Sequence, residues 1–598
     1  ISDTLTGFLQ DVKSEYELRK GRKYPYQKFI LAETPISYTG YVRNWKGNSE
    51  QLQPEIVFLP EFATTLPSSN FKFTKKRMAE WGRNNPRGGD MEDIDVEMNV
   101  IRDFTRRVLL SEETFQEDGN TFVNMFSGEW SGTSKLNKYD LSSMYFNYAG
   151  SIYSQNFPII DIVMNTMLKQ EESTQGRHFF RMFNGMGDDQ RAAAYLNGKS
   201  FEQAVLDNTL STEVFYEMMK LKGVYLRNYI NSRLSSNEFK EFMAEFTKKY
   251  QFQEVNFTRL NSEFIRKFHF NLMDFIPNWY TINSTPRFIV KGVDADQVEV
   301  GDYTKYIVKF QVYNPTNVEG VISVNVEEGG GMFPGGPRGR RGRAAQMESK
   351  PAKNYIIEPR KYKEIRILCD ERPSNLTINT NISQNLPSTI MQNFAKVTTT
   401  TTDTVTGIFD SNASLFTFNP KEITVDNEDP GFKIIESNQK NKLQSFFKKE
   451  NEDKYKNLNF WMPPSKWTAT IGVNYYGDYI NSAVYKKSGS GSNKTEWTTQ
   501  IQIPGFYEVF VYSSDFPMMG WFRRGGEEKK IQYYTVKHDD GEEEISVETG
   551  RGRQGWRTLG SFYFSKGEAK ITLSDKGSES NQIIFADAVK WVYTNNNK

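Results

Sequence analysis

Between residues 96 and 285 the apolar positions recur with helical spacing. Ser235-Ser236-Asn237-Glu238 has capping-box spacing, and Phe239, Phe242, Met243, Phe246 and Tyr250 follow at i, i+3, i+4, i+7 and i+11. Phe215, Met218, Met219, Leu226, Tyr229 and Ile230 make a second stripe, and Leu272, Phe275, Ile276 and Trp279 a third. These stripes predict helices that pack against one another. After Pro286 the period drops to 2. Tyr306, Val308, Phe310 and Val312 alternate with Lys305, Lys309 and Gln311, and Asn314-Pro315 ends the strand. Ile322, Val324 and Val326 continue the alternation, and Glu364–Leu368 does so less regularly. Short strands divided by turns predict an immunoglobulin-like β-sandwich over 286–425.

From 426 to 598 the pattern stays strand-like, with no helix of useful length. Gly505–Tyr512, Tyr533–Val536, Ser561–Phe564 and Ile583–Val592 predict an antiparallel sandwich or jelly roll. Residues 1–95 mix strand-like pieces and turns, as a remnant of a mixed α/β domain would. There, Gln53–Glu61 is apolar between prolines and predicts a short buried strand, while 83–90 reads as a loop. The expected fold is therefore multidomain α+β, with units at 1–95, 96–285, 286–425 and 426–598. A Gly- and Arg-rich loop at 328–350 interrupts the first sandwich. Its Arg338, Arg340, Arg341 and Arg343 form either a clamp for phosphate or acidic glycan, or a solvated hairpin extension. Thr398–Thr402 reads as a polar strand or linker, and no internal repeat is visible.

Composition narrows the chemistry. Lys and Arg number 75 against 74 Asp and Glu in 598 residues, a balance that argues against a nucleic-acid partner. No run approaches the roughly 20 apolar residues of a membrane span, and no signal peptide is expected within these residues. Residue 1 is Ile, so a signal or membrane anchor upstream is compatible with the chain. Cys369 is the single cysteine, which excludes internal disulfides and a thiolate zinc site. The 3 histidines, His178, His269 and His538, include no i, i+4 pair of the HExxH type. No catalytic residue, metal or other cofactor is expected. His538 beside Asp539-Asp540 is a strand end before a turn or, with distant ligands, a metal ligand. Glu542-Glu543-Glu544 is a solvated hairpin tip or an oxygen donor set for Ca²⁺. The sequons at Asn375 and Asn412 occur by chance in a chain this rich in Asn and Thr. Aromatics make up 14% of the chain, and rings at a surface can stack on sugars. Among Tyr475, Tyr476, Trp497, Trp521 and Trp556, the expected sugar-stacking pair is Tyr475 and Trp497, with Trp556 assigned to the core.

Family resemblances sharpen these expectations. Lys220-Leu-Lys-Gly223, the Phe239–Tyr250 helix, Phe252, and the Phe275, Trp279, Pro286 ending resemble the helical region of aminopeptidase N-family zinc peptidases. That family places its oxyanion-stabilising tyrosine where Lys220 stands, and its zinc ligands have no counterpart here. Glu33–Glu61 and Met144–Leu168 look like bacterial proteins in which an aminopeptidase-like region is fused behind an ABC-type permease. Further along, Gly505-Phe-Tyr-Glu-Val509, Tyr534–His538, Gly555-Trp-Arg-Thr-Leu-Gly560 and Phe585-Ala-Asp-Ala-Val589 occur in order. These resemble the golvesin C-terminal-like domain, a carbohydrate-binding-like module of bacterial surface and secreted enzymes. Together the resemblances imply a non-catalytic, extracytoplasmic part of a bacterial envelope protein, binding a glycan or peptide. A membrane-embedded N-terminal part or partner is implied too. The alternative is a zinc aminopeptidase-type hydrolase whose metal site lies upstream of residue 1.

Overall fold

The computed structural model describes residues 187–594, except 251–252, 254, 329–351, 395–396, 398, 437–453, 460–461, 515–529, 550–554 and 580–581. It also describes parts of 6–34, residues 56–60, and 152–164 other than 161–162. The loop predicted at 83–90, the arginines of 338–343, His178 and Trp521 lie outside the described residues, as does most of the Met144–Leu168 stretch. Strands dominate what is described. The chain forms two compact units, one of 1–179 with 234–277, the other of 180–233 with 278–598.

In the first unit, β1 (Ile30–Thr34) and β2 (Ile56–Pro60) pair in parallel, so the proline-bounded run is a strand as predicted. β3 (Ile152–Tyr153) pairs with β4 (Val255–Asn256). Two helices, Ser236–Lys249 and Phe257–Phe268, pack through rings: Phe242 meets Phe264 edge-on at 4.8 Å. The capping box is realised. The Ser235 amide donates to Glu238 Oε2 at 2.8 Å, and the Glu238 amide donates to Ser235 Oγ at 3.2 Å.

In the second unit, α1 (Asp188–Tyr195), α2 (Phe201–Leu206) and α3 (Thr212–Asn231) precede the sandwiches. Met218, Met219, Leu226, Tyr229 and Ile230 are buried as the stripe requires, and Phe215 is half-buried. α3 also buries Lys222, whose amine donates to the Trp279 carbonyl at 2.5 Å. Burial pushes its pKa down to about 7.

The first sandwich pairs two sheets. One has the order β12-β5-β6-β9-β13, from Thr400–Thr401, Ile289–Val300, Tyr303–Tyr313, Tyr362–Cys369 and Gly407–Asp410. The other has the order β11-β10-β7-β8, from Thr389–Asn393, Pro373–Asn379, Gly320–Glu328 and Lys353–Ile357. Val308, Phe310 and Val312, with Ile365 beside Phe310, pack with Ile322, Val324 and Ile378 of the other sheet in one core. The polar run around Thr400 is a two-residue strand that pairs in parallel with β5.

Among the described residues the C-terminal sandwich has three sheets. The first, β14-β25-β19-β22, comprises Glu422–Val425, Val589–Thr594, Gly505–Ser513 and Gly555–Phe564. The second, β15-β18-β23-β20-β21, comprises Phe432–Ile435, Lys494–Ile501, Gly567–Gly577, Lys530–His538 and Gly541–Thr549. The third, β16-β17-β24, comprises Thr468–Ile471, Ser482–Lys487 and Ile583–Ala586. The sequence pattern predicts one strand over Ile583–Val592. The structure breaks it at Asp587-Ala588, and the chain changes sheets there. Asp587 is why: its carboxylate accepts from the Tyr476 amide at 3.2 Å, and its carbonyl accepts from Trp497 Nε1 at 3.1 Å. Those bonds replace ladder bonds that a continuous strand would make.

Candidate functional site

Both rings expected to stack on sugar are in the core, and that expectation is corrected. Tyr475 is 2% exposed and Trp497 1%. Trp497 stands on β18 with its indole N–H tied to Asp587, packed against Phe432 and Tyr534. Tyr475 packs on Phe585. An indole or phenol buried this way brings a large apolar area out of water, and it offers no face to a ligand.

The aromatic surface lies instead on the outer face of the β14-β25-β19-β22 sheet. Along β19, Tyr507, Val509 and Val511 point into the core, which sends Phe506, Glu508, Phe510 and Tyr512 outward. β25 adds Lys590 and Val592 to the same face, opposite Phe510 and Glu508. β22 contributes through a bulge. Val509 pairs with Gly560 but Phe510 with Thr558, so Leu559 has no partner across the ladder and turns into the core. Gly560 makes the bulge feasible at φ 138, a conformation that suits glycine. The extra residue restores the alternation on both sides. Trp556 then sits opposite Tyr512, and Tyr563 opposite Phe506, all on the outer face.

Trp556 is half-buried near the start of β22, the edge strand of this sheet. Tyr512 and Tyr476 meet it edge-on at 5.3 and 5.1 Å. The Lys590 amine lies 4.6 Å from its ring centroid and 3.4 Å from Glu422 Oε1. Beside it opens a cleft of about 490 Å³ lined by Glu508, Phe510, Ser546, Val547, Glu548, Trp556, Arg557 and Thr558. Apolar rings and hydrogen-bonding groups of both kinds converge there, as in sites that hold a small polar ligand by its faces and edges.

Behind the aromatics, Asp426, Asp429 and Asp587 carry raised pKa values. Burial is the main cause for each. Asp426 rises to about 8, with neighbouring Asp429 and Glu428 adding to the shift. Burial raises the Tyr476 phenol as well, reinforced by the charges of Asp478, Asp426 and Asp429.

The remaining candidates fall as follows. His538 ends β20 before the Asp539-Asp540 turn, its ring 5.0 Å from that of Phe562. Glu542, Glu543 and Glu544 are exposed at the start of β21. His269 caps its helix in the left-handed conformation, exposed. Among the described residues no group of three or more His, Cys, Asp or Glu side chains is placed to hold a metal ion. Lys220 lies on α3, paired with Glu217 at 3.2 Å.

Residues 456–593 match the family model of the Golvesin C-terminal domain. The match runs from before β16 into β25, so it takes in Phe506, Phe510, Tyr512, Trp556 and Lys590. No curated protein matches the chain. Among solved structures, a Paenibacillus xanthan lyase is similar at 14% identity and TM-score 0.21, over 52% of this chain and 26% of that one. The chain thus spans about a quarter of that lyase. A family 35 carbohydrate binding module from Clostridium thermocellum is similar at 13% identity and TM-score 0.18, over 28% of this chain and 98% of that one. A two-domain protein from Bacteroides fragilis is similar at 9% identity and TM-score 0.14, over 52% of this chain and 94% of that one. Likenesses this weak carry nothing about ligand or activity.

Proposed function

We propose that the C-terminal sandwich is an extracellular, non-catalytic glycan-binding module, and that the cleft beside Trp556 is its ligand site. The observation that carries this reading is the lining of the cleft. Phe510 and Trp556 offer apolar surface to the C–H face of a sugar ring. Glu508, Glu548, Ser546, Arg557 and Thr558 offer acceptors and donors to its hydroxyls. The Golvesin-domain match supports the reading by covering the strands that present these rings. A glycan array probed with the full chain tests it. The expected result is binding to a defined set of glycans that Trp556→Ala removes while the melting temperature stays within a few degrees of wild type. An array silent for both proteins sinks the reading.

Upstream, the helical region enters this proposal as a scaffold that has lost peptidase chemistry. Its support is the sequence resemblance over about 20–290 and the lysine at position 220. Stoichiometric zinc in the purified chain, together with turnover of aminoacyl-arylamides, would contradict it. Among the described residues no helix is long and apolar enough to cross a membrane.

A further inference from the structure

We infer that the ligand is an extended, neutral oligosaccharide lying along β19, held by a second aromatic subsite at Phe506 and Tyr563. This rests on the glycan reading of the Trp556 cleft and adds a class of ligand and a second place of contact.

Phe506 and Tyr563 are each 37% exposed, so both rings keep surface open to solvent. They pair across the β19–β22 ladder and meet edge-on at 5.4 Å. They stand on the same outer face as Phe510 and Trp556. β19 is unbroken against β25 from Phe506 to Val511, so Phe506 and Phe510 share that face four residues apart. At ~3.3 Å per residue the two lie roughly 13 Å apart, a span that a single pyranose cannot bridge. Between them stand Glu508 and, opposite it, Ser561 and Val592. The stretch between the rings is therefore polar and low, suited to the hydroxyls of a chain passing over it.

Among the described residues, the charges on this face leave little for an ionic ligand. Lys590 is engaged with Glu422 at 3.4 Å, and Thr558 Oγ1 donates to Glu508 at 3.5 Å. Among the described residues that line the cleft, the Glu508 and Glu548 carboxylates stand with one guanidinium, Arg557. A polyanionic glycan would meet two carboxylates for one cation. A neutral chain meets acceptors and donors and no net repulsion.

The test is calorimetric titration of the full chain with neutral β-1,4-linked gluco-, manno- and xylo-oligosaccharides graded from monosaccharide to hexasaccharide. The same series runs on Phe506→Ala, Tyr563→Ala, the conservative Phe506→Tyr, and Trp556→Ala. Affinity should climb with length until the ligand reaches both aromatic groups. Phe506→Ala and Tyr563→Ala should each weaken the long ligands roughly tenfold while leaving the shortest bound ligand unchanged. Phe506→Tyr should retain wild-type affinity. Trp556→Ala should weaken every length. Trp556-dependent binding with no gain from added length, or with no effect of the Phe506 and Tyr563 changes, overturns this inference and leaves the cleft reading standing. Binding to none of the series overturns it outright, and the array then decides the cleft reading separately.

Discussion

Two buried carboxylates of the C-terminal sandwich show how environment sets opposite behaviour. Asp575 accepts from the Lys486 amine, from Asn493 Nδ2 at 2.9 Å and from the Gly491 amide at 2.7 Å. Burial alone would raise its pKa, but these donors and the lysine charge together lower it. A depressed carboxylate adds stability above its unfolded pKa, and that stability is lost as pH falls through the folded value. Asp575→Ala strands the Lys486 ammonium without a partner in the core. It should cost about 3–5 kcal/mol near neutral pH, read by chemical denaturation. Asp426 is the reverse case, raised to about 8 chiefly by burial. The folded state holds its proton after the unfolded state has released one, so stability from this group falls as pH rises from about 4 toward 8. Asp426→Asn keeps an acceptor for the Asn427 amide, which lies 2.7 Å away. It should therefore stabilise the protein by about 1–3 kcal/mol at pH ~8.5 and change little at pH ~4, measured as denaturation midpoints at the two pH values. A larger gain at acid pH would contradict this assignment.

Among the elements, the bulge in β22 decides what the sheet displays. Trp556 and Tyr563 are seven positions apart, an odd spacing that on a regular strand would send them to opposite faces. The unpaired Leu559 turns that spacing into a shared face. This is why the strands were legible in the sequence and the site was not. Alternation located β6, β7, β19 and β22, and the capping box located the Ser235 helix. Nothing in the Gly555–Gly560 motif announces a bulge, and membership of that motif is what assigned Trp556 to the core, whereas the ring is half-buried on the outer face. Nothing local to Trp497 or Tyr475 in the sequence marks either ring as core, and the bond from the Trp497 indole to the Asp587 carbonyl joins residues 90 positions apart. The break at Asp587 was hidden for the same reason: a buried aspartate inside an apolar run looks like strand. Gly560→Ala tests the bulge. A Cβ there would lie 2.9 Å from the Phe562 ring, at a φ of 138 that side chains avoid. The expected cost is about 1–3 kcal/mol with weakened glycan binding, followed by thermal melting and titration together. Unchanged stability and affinity would show that the bulge is not needed.

At the scale of the second unit, the two sandwiches are joined by main chain. The Leu386 amide donates to the Tyr479 carbonyl at 2.9 Å, and the Asn481 amide donates to the Leu386 carbonyl at 2.7 Å. The Arg287 guanidinium lies 4.0 Å from the Tyr479 ring centroid and bonds Gln384 at 2.8 Å. A cation over a partly desolvated ring contributes about 0.5–2 kcal/mol. Arg287→Ala should therefore separate one calorimetric transition of the sandwiches into two, with the glycan surface intact. A transition as sharp as wild type would mean that the main-chain bonds alone hold the joint.

The glycan-binding proposal places a ligand on the outer face of β19 and β22. The most direct measurement is a structure of the full chain with the tightest array ligand bound. A sugar ring is expected in the cleft against Trp556 and Phe510, with its hydroxyls bonded to Glu508, Arg557 or Thr558. The chain should extend toward Phe506 and Tyr563. A ligand held elsewhere on the sandwich, with this face bare, would contradict it.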